Sequence, residues 1–419
     1  MKSSVRTLDS KLALGYILYL LWPLAVLFIA IKKVEYPKYR TLLLCFAAFF
    51  GYNFVVLENS DGSRVIGSLQ YYANMDLYEF ISFLSSIFST ENATPDYYLH
   101  IISFLVSRIS LDPHFFTAVL SIIYFYVYFK IFGFLNKLET KTLSFYSIII
   151  LLGIVIMYPF TAGINAVRFP LATLLYIYAF INLVFKRDRK FLFLGIVSVL
   201  IHWSFLGPSL LLILYYFTQK YNNMKVLLAI MIVTIFVSTF LSQNLAANIG
   251  FLGGVYEDKF DTYTDENYVE SRNVSFATMN LHIKLAKILP IYYIMIILFI
   301  TNFSNLKLIK DEYSNRLYIF AIYVACIAFI LGGAIDIVNN RFIRLAYIFT
   351  LIYFFYLSLI NRNNKWIRLL SVVFVPIFLL QLYATIRSDI LCIEPNLLLG
   401  NWITAIFMSG RESIFDLIN

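Results

Sequence analysis

Three arginines stand at the openings of apolar segments, where they could bind an anionic group. Arg168 in "TAGINAVRFPLATLLYIYAF" follows a loop and comes two residues before a proline, and Arg341 and Arg344 in "DIVNNRFIRLAYIF" are one helical turn apart. A guanidinium makes bidentate contacts with phosphate, and the N–H groups at a helix N-terminus also favour an anion. The pattern predicts a clamp for a diphosphate; the structural alternative is that these arginines reach to lipid headgroups or pair with Asp336.

A second set of residues could move a proton or hold a sugar. Asp61 and Arg64 lie in "NSDGSR", which is also typical of a solvated turn. His202 in "IHWSFLGP" interrupts an apolar stretch beside a tryptophan, a pair that membrane interfaces also favour. His282 in "NLHIKLAK" is a further candidate for contact with substrate. The proton acceptor stays open among Asp61, Asp336 and His202, and proton loss assisted by the substrate is another alternative.

The composition places these residues in a membrane protein. Of 419 residues, 61% are hydrophobic and only 14% are charged, and the mean hydropathy is +0.78. Soluble domains carry about a quarter charged residues. Apolar runs of about 18 residues or more recur along the chain, which predicts a polytopic all-α bundle. The net charge of +9 is explained by basic cytoplasmic loops, so we expect no nucleic acid as partner.

The apolar runs predict about 12 membrane helices in one integral membrane domain, 1–419. Ten are expected at roughly 11–31, 41–57, 113–134, 143–160, 166–185, 226–243, 285–303, 317–335, 343–360 and 369–386. Two more form a short helical hairpin over 191–217, because basic clusters at both of its ends favour the cytoplasm.

The same register leaves three long segments on the outer face. These are 58–112, with amphipathic or re-entrant helices at the interface, the loop 244–284, and the C-terminal tail 387–419. The basic residues of this outer face are mostly arginine, which indicates an anionic ligand there.

Several motifs are missing from the sequence. It has no Asp-x-Asp pair, no His-Glu-x-x-His, no Cys/His cluster and no Gly-rich nucleotide loop, and its three cysteines give no disulfide framework. We therefore predict no metal ion, no cofactor and no nucleotide-sugar donor.

Three stretches together resemble the Wzy-type O-antigen polymerases and their EpsG-like relatives. They are "DGSR", "GINAVRFPLATLLYIYAFINLVFKRDRKFLFLGIVSVLIHWSFLGPSLLLILYYF" and "NNRFIRLAYIFTLIYFF". The resemblance implies a GT-C-like bundle in the bacterial inner membrane with its active site facing the periplasm. It implies a metal-independent glycosyltransferase that moves the growing glycan from undecaprenyl diphosphate to a hydroxyl of an incoming lipid-linked repeat unit. A polysaccharide chain-length regulator is implied as a partner, beside membrane lipid.

The resemblance also assigns roles to particular residues. Arg168, Arg341 and Arg344 would hold the diphosphate leaving group, and His202 would fall at the histidine of the family's hairpin. Asp61 and Arg64 would form the family's first-loop element. Guanidinium groups that stabilise the departing anion would replace a metal ion.

Two other readings are open. An O-antigen ligase, or another glycosyltransferase with a lipid-linked donor, shares the donor chemistry and differs only in its acceptor. A lipid-linked oligosaccharide flippase would carry polar residues along the bundle interior and show two related halves. Here the charges cluster at helix ends and no halves repeat, which argues against transport.

Overall fold

The computed structural model describes most of the chain. The described ranges are 2–58, 60–86, 96–138, 143–219, 223–248, 266–302, 308–332, 336–407 and 412–418. Within them, side chains are described except at 2–11, 238–248, 266–269, 272–273, 331–332, 336–340 and 418. Across these ranges the chain is almost entirely helical, and its β-type pairing is a single antiparallel bridge between Phe54 and Ile393.

The helices are numbered here in chain order. They are α1 (Lys2–Leu21), α2 (Pro23–Ala30), α3 (Pro37–Tyr52), α4 (Asp61–Asn74), α5 (Leu77–Ser86), α6 (Tyr97–Ser107), α7 (Pro113–Lys137), α8 (Phe145–Met157), α9 (Ala162–Asn165), α10 (Arg168–Lys186), α11 (Lys190–Ile201), α12 (Leu206–Thr218), α13 (Met224–Asn248), α14 (Glu266–Thr278), α15 (Leu281–Thr301), α16 (Glu312–Gly332), α17 (Asp336–Ile360), α18 (Lys365–Asp389), α19 (Pro395–Leu399), α20 (Trp402–Phe407) and α21 (Ile414–Ile418).

Seven segments of the described chain are long and apolar enough to cross a membrane. They are Pro113–Lys137, Phe145–Asn165, Arg168–Lys186, Leu281–Thr301, Glu312–Ile330, Arg341–Ile360 and Lys365–Cys392. Shorter apolar helices lie at Leu12–Leu21, Tyr97–Ser107, Lys190–Ile201, Trp203–Thr218 and Met224–Val237. The predicted helical membrane bundle is confirmed. The count of about 12 spans and the placement of the outer loops stay predictions.

The chain breaks its helices where the sequence supplies caps and prolines. Pro113 opens α7 and the Asp112 carboxylate accepts from the N–H of His114 at 2.9 Å. Between α11 and α12 the break is short: α11 ends at Ile201, and a single 3₁₀ turn, Trp203–Phe205, separates the two helices. The Ser209 hydroxyl of α12 then donates to the Gly195 carbonyl of α11 at 2.6 Å, so these two short helices fold back on each other.

The centre of the bundle is unusually aromatic. Helices α10, α16 and α17 meet there, and the ring of Phe180 stacks on that of Phe320 at 3.8 Å between centroids while the Phe349 ring lies edge-on to both. Such ring pairs add about 0.5–1.5 kcal/mol each beyond the area they bury. This rigid packing fixes α10, and therefore the position of its first residue, Arg168.

The elements that carry the candidate residues meet at one end of the bundle, called here the site end. The starts of α4, α6 and α10, the turn between α11 and α12, and the segment after α18 all lie there, as their mutual contacts show. The opposite end holds the last residues of α10 and the start of α16.

Candidate active site

Arg168 lies at the centre of a group of charged side chains at the site end. As the first residue of α10, it donates from Nη1 to Asp96 Oδ2 at 2.8 Å and from Nη2 to Asp61 Oδ2 at 3.0 Å. The Arg168 side chain is 17% exposed, that of Asp61 25% and that of Asp96 only 1%. We call Arg168, Asp61 and Asp96 the carboxylate cluster, which holds two carboxyl groups for one guanidinium.

Local capping and a close backbone approach place Asp61. Ser60 caps α4, since its hydroxyl oxygen accepts from the Ser63 N–H at 3.1 Å, so Asp61 falls in the first turn. A carboxylate is favoured there by the helix dipole. Gly62 is required next to it, because a Cβ at this position would lie 2.6 Å from the carbonyl oxygen of Ile164 in α9. The "DG" of the sequence motif thus seats α4 directly on the turn that precedes Arg168.

Asp96 was missed by sequence reasoning, although it stands at a helix-capping position. It is the N-cap of α6, yet its carboxylate makes no capping hydrogen bond. Instead Oδ1 accepts from the backbone N–H of Trp203 at 2.9 Å, while Oδ2 accepts from Arg168. Asp96 therefore joins the start of α10 to the turn between α11 and α12. The sequence predicts an ordinary helix cap at Asp96, before an apolar run. Its contacts with Arg168 and Trp203 are seen only in the tertiary structure.

The helices that carry the two carboxylates are fixed to each other. The Arg108 guanidinium, just after α6, donates to the carbonyls of Tyr72, Ala73 and Met75 at the end of α4. The Tyr72 hydroxyl is also hydrogen-bonded to His100 Nδ1 of α6. Burial raises the pKa of the Tyr72 phenol to about 12.

His202 lies in the turn between α11 and α12, 8% exposed and directly before Trp203. Its Nδ1 accepts from the backbone N–H of Ser204 at 3.3 Å. A backbone N–H can only donate, so the neutral ring carries its proton on Nε2. In that tautomer His202 presents a donor rather than a base through Nε2.

The Phe169 ring connects the histidine to the next arginine. The His202 ring lies edge-on to Phe169 with 5.6 Å between centroids, and Arg341 Cζ lies 5.4 Å from the centre of the same ring. A guanidinium at that distance makes a cation–π contact. Because Phe169 follows Arg168 in α10, the structure brings Asp61, Arg168, His202 and Arg341 together from four separate parts of the chain.

The other predicted residues lie at varying distances from this group. Arg344 is exposed, one turn along α17 from Arg341, and its charge acts on the Tyr158 phenol. None of the ion pairs of the described side chains involves Arg341 or Arg344. Arg64 is exposed, one turn after Asp61 in α4.

Two candidates are not placed in this group. His282 packs edge-on against Tyr383, with ring centroids 5.1 Å apart, and no described contact joins it to the carboxylate cluster. Asp336 begins α17, but its side chain lies outside the described residues. Among the described side chains, no three His, Cys, Asp or Glu residues come together as metal ligands.

A comparison of the sequence with known protein families covers most of the chain, including most of the candidate residues. The sequence model of the EpsG family matches residues 63–395, about four-fifths of the chain. The chain belongs to the EpsG family. This is a family of Wzy-like proteins of the polysaccharide polymerase type, so the resemblance drawn from the three sequence stretches is confirmed. No curated protein and no solved structure matches the chain.

The EpsG match takes in nearly all of the candidate residues. Asp96, Arg168, His202, Arg341 and Arg344 lie inside it, whereas Asp61 lies two residues before its start. The chain is thus a polysaccharide-polymerase-like membrane protein whose candidate site gathers at one end of its bundle.

Proposed function

We propose that this EpsG-family protein polymerises lipid-linked oligosaccharide repeat units. The donor would be a growing glycan on undecaprenyl diphosphate, and the acceptor a hydroxyl of an incoming lipid-linked unit. The bond between the donor's anomeric carbon and the phosphate oxygen breaks, and a bond from that carbon to the acceptor oxygen forms. The observation that carries the proposal is the meeting of Asp61, Arg168, His202 and Arg341 at one end of an apolar bundle.

Arg341 and Arg344 are proposed to bind the diphosphate that leaves. Both lie in the early part of α17 and neither pairs with a carboxylate among the described side chains, so their charge is available to an anion. Arg168 differs, because its two terminal nitrogens already donate to Asp61 and Asp96. Its Nε–H has no partner among the described protein atoms, so it can donate to a substrate oxygen while it holds both carboxylates.

Asp61 is proposed to accept the proton of the attacking hydroxyl. Its Oδ2 is bound by Arg168, but its Oδ1 makes no hydrogen bond with the described residues, and the side chain is partly exposed. Asp96 is buried and uses both oxygens, which leaves it no free acceptor. His202 is proposed to donate from Nε2 to the sugar or the phosphate, in keeping with the tautomer that Ser204 favours.

The site is proposed to face the periplasm, across the inner membrane from the basic loops. The end opposite to the site carries the basic run "KRDRK" after α10, which favours the cytoplasm. Undecaprenyl-linked units reach their polymerase on the far side of that membrane, which fits a cluster at the other end of the same helices. Membrane lipid and a chain-length regulator are the further partners proposed.

Complementation of a polymerase-deficient strain that supplies the matching repeat unit tests the proposal. Surface polysaccharide would be read as a gel ladder for the wild type, Arg341→Ala and Arg344→Ala, with Arg368→Ala as control. Arg368 is an exposed arginine at the opposite end, in the first turn of α18. The wild type and Arg368→Ala should give a ladder, while Arg341→Ala should lower polymerisation by about 10²–10³-fold, the usual loss when a donor to a developing anion is removed.

Each outcome bears on a different part of the proposal. If the wild type yields only single-repeat product although the matching unit is supplied, polymerisation is ruled out. The hypotheses of a ligase and of a flippase are then favoured. If the wild type gives a ladder and both Arg341→Ala and Arg344→Ala give the same ladder at equal protein level, the diphosphate role of these arginines is wrong.

A further inference from the structure

The segment that follows α18 is tied to the end of α3. The N–H of Val55 donates to the Cys392 carbonyl at 2.9 Å, and Phe54 pairs with Ile393 in the antiparallel bridge. The Asn396 side-chain amide also donates to the Asn53 side-chain oxygen, and both residues are buried. Residues 389–396, called here the C-terminal clasp, therefore have a fixed place at the site end.

The C-terminal clasp also accepts hydrogen bonds from residues at both ends of α9. The Thr161 hydroxyl, which precedes α9, donates to Asp389 Oδ1 at 2.5 Å. The Asn165 amide, the last residue of α9, donates to Cys392 Sγ at 3.0 Å, and Cys392 is fully buried. A hydrogen bond to a carboxylate is stronger than one to sulfur, so Asp389 is the main anchor.

The turn held in this way leads directly into Arg168. Only Ala166 and Val167 separate α9 from it, and Val167 has φ 29° and ψ −60°, a conformation that a β-branched residue rarely adopts. Such backbone persists only when its surroundings hold it. Within α9, Gly163 lies so close to the Tyr124 ring that a Cβ would approach it to 2.4 Å. The turn is thus held both by Tyr124 and by the C-terminal clasp.

We propose that the C-terminal clasp is part of the catalytic apparatus and that Asp389 is a positioning residue for Arg168. By holding Thr161, Asp389 fixes α9 and the strained Val167, so that the Arg168 guanidinium spans Asp61 and Asp96 at the same time. Asp389 acts through Thr161 and Arg168 and does not touch the substrate. The inference rests on the proposed polymerase function, because its effect is read in polymer synthesis.

The test compares two substitutions at Thr161 that differ in one hydroxyl. Thr161→Ser keeps the donor to Asp389, whereas Thr161→Val keeps the shape and removes the donor. Thr350→Val is the control, because Thr350 is also a buried threonine, and its hydroxyl bond among the described residues is to the Ala346 carbonyl within its own helix. Polymer made per folded molecule would be measured in complemented cells, with protein level and melting temperature in detergent for every variant.

We expect Thr161→Val to lower polymer synthesis per folded molecule by about tenfold or more, since displacements of about 1 Å cost up to about 10²-fold. Thr161→Ser and Thr350→Val should match the wild type. Asp389→Ala should repeat the loss, and the double variant with Thr161→Val should lose no more than either alone, because both remove the same bond.

Two results would overturn the proposal. One is a Thr161→Val protein that melts earlier but synthesises normally per folded molecule, which would make the bond purely structural. The other is an equal loss in Thr161→Ser, which would show that the hydroxyl is not what matters. A wild type without a ladder would instead contradict the proposed polymerase function. Failure of that function can therefore be distinguished from failure of the role proposed for Asp389.

Discussion

Helix α10 has an arginine at each end, and the two arginines meet carboxylates in opposite surroundings. At the site end, Arg168 binds Asp61 and Asp96 with its side chain mostly buried. At the opposite end, Arg187 pairs with Glu312, and both side chains are more than half exposed. Glu312 also accepts from Arg316 at 2.7 Å. The first group has one arginine for two carboxylates, and the second has two arginines for one.

The difference in burial fits the different roles proposed for the two groups. Removing one partner of a buried pair leaves an uncompensated charge and costs about 3–5 kcal/mol, whereas an exposed pair contributes about 0.2–1 kcal/mol. A protein gains little stability from burying such a group in the first place. The burial of the carboxylate cluster therefore supports the chemical role proposed for it, whereas the exposed Arg187 group fits a contact between a helix end and its neighbour.

The largest expected effect is that of Arg168→Ala. Asp96, 1% exposed, would lose its charged donor, so we expect a loss of about 3–5 kcal/mol in the free energy of unfolding together with loss of polymer. Melting temperature in detergent and the polysaccharide ladder measure the two effects. The variant Arg168→Met with Asp61→Asn and Asp96→Asn removes all three charges and should recover part of the stability but no activity. A stable Arg168→Ala protein would show that Asp96 has another source of compensation.

The two carboxylates should respond differently to the same isosteric change. Asp61→Asn should lower polymer synthesis by about 10²–10⁴-fold, the usual contribution of a general base, with little change in stability because the side chain is partly exposed. Asp96→Asn should instead cost about 1–3 kcal/mol of stability, since both oxygens accept from donors and the new amide must face one of them. Turnover per folded molecule and melting temperature separate the two. Equal profiles for both variants would contradict the assignment of Asp61 as proton acceptor.

The sequence predicted the parts of the site that local chemistry determines. Arg168 at a helix opening and the break at His202 follow from polar residues set into apolar runs, whereas the cap that Ser60 provides before Asp61 was not predicted. The same reasoning predicted an arginine clamp but did not separate the contacts of its members. Arg168 binds two carboxylates, whereas Arg341 has none among the described side chains and lies over the Phe169 ring; these contacts depend on residues more than 70 positions away.

The residues that sequence reasoning missed are those whose partners come only from tertiary packing. Asp96 reads as a helix cap and Asp389 as the polar end of an apolar helix, and neither has a local motif around it. One general argument pointed to such a partner: a buried arginine in an apolar bundle requires a carboxylate nearby to balance its charge. That argument demands a partner for Arg168, but it does not choose among the acidic residues of the segments that are predicted to lie on the outer face.

The smallest expected effect, at the opposite end of α10, separates backbone strain from charge. Arg187 adopts the left-handed conformation at φ 55° and ψ 24°, which destabilises an L-residue by about 1–2 kcal/mol and glycine hardly at all. Arg187→Ala should lower stability slightly, because it loses the exposed pair with Glu312 and keeps the strain. Arg187→Gly loses the same pair but removes the strain, so it should melt at or above the wild-type temperature, with an unchanged ladder for both variants. If glycine were as destabilising as alanine, the Arg187–Glu312 pair would contribute more to stability than an exposed pair is expected to. The contrast between the two ends of α10 would then be wrong.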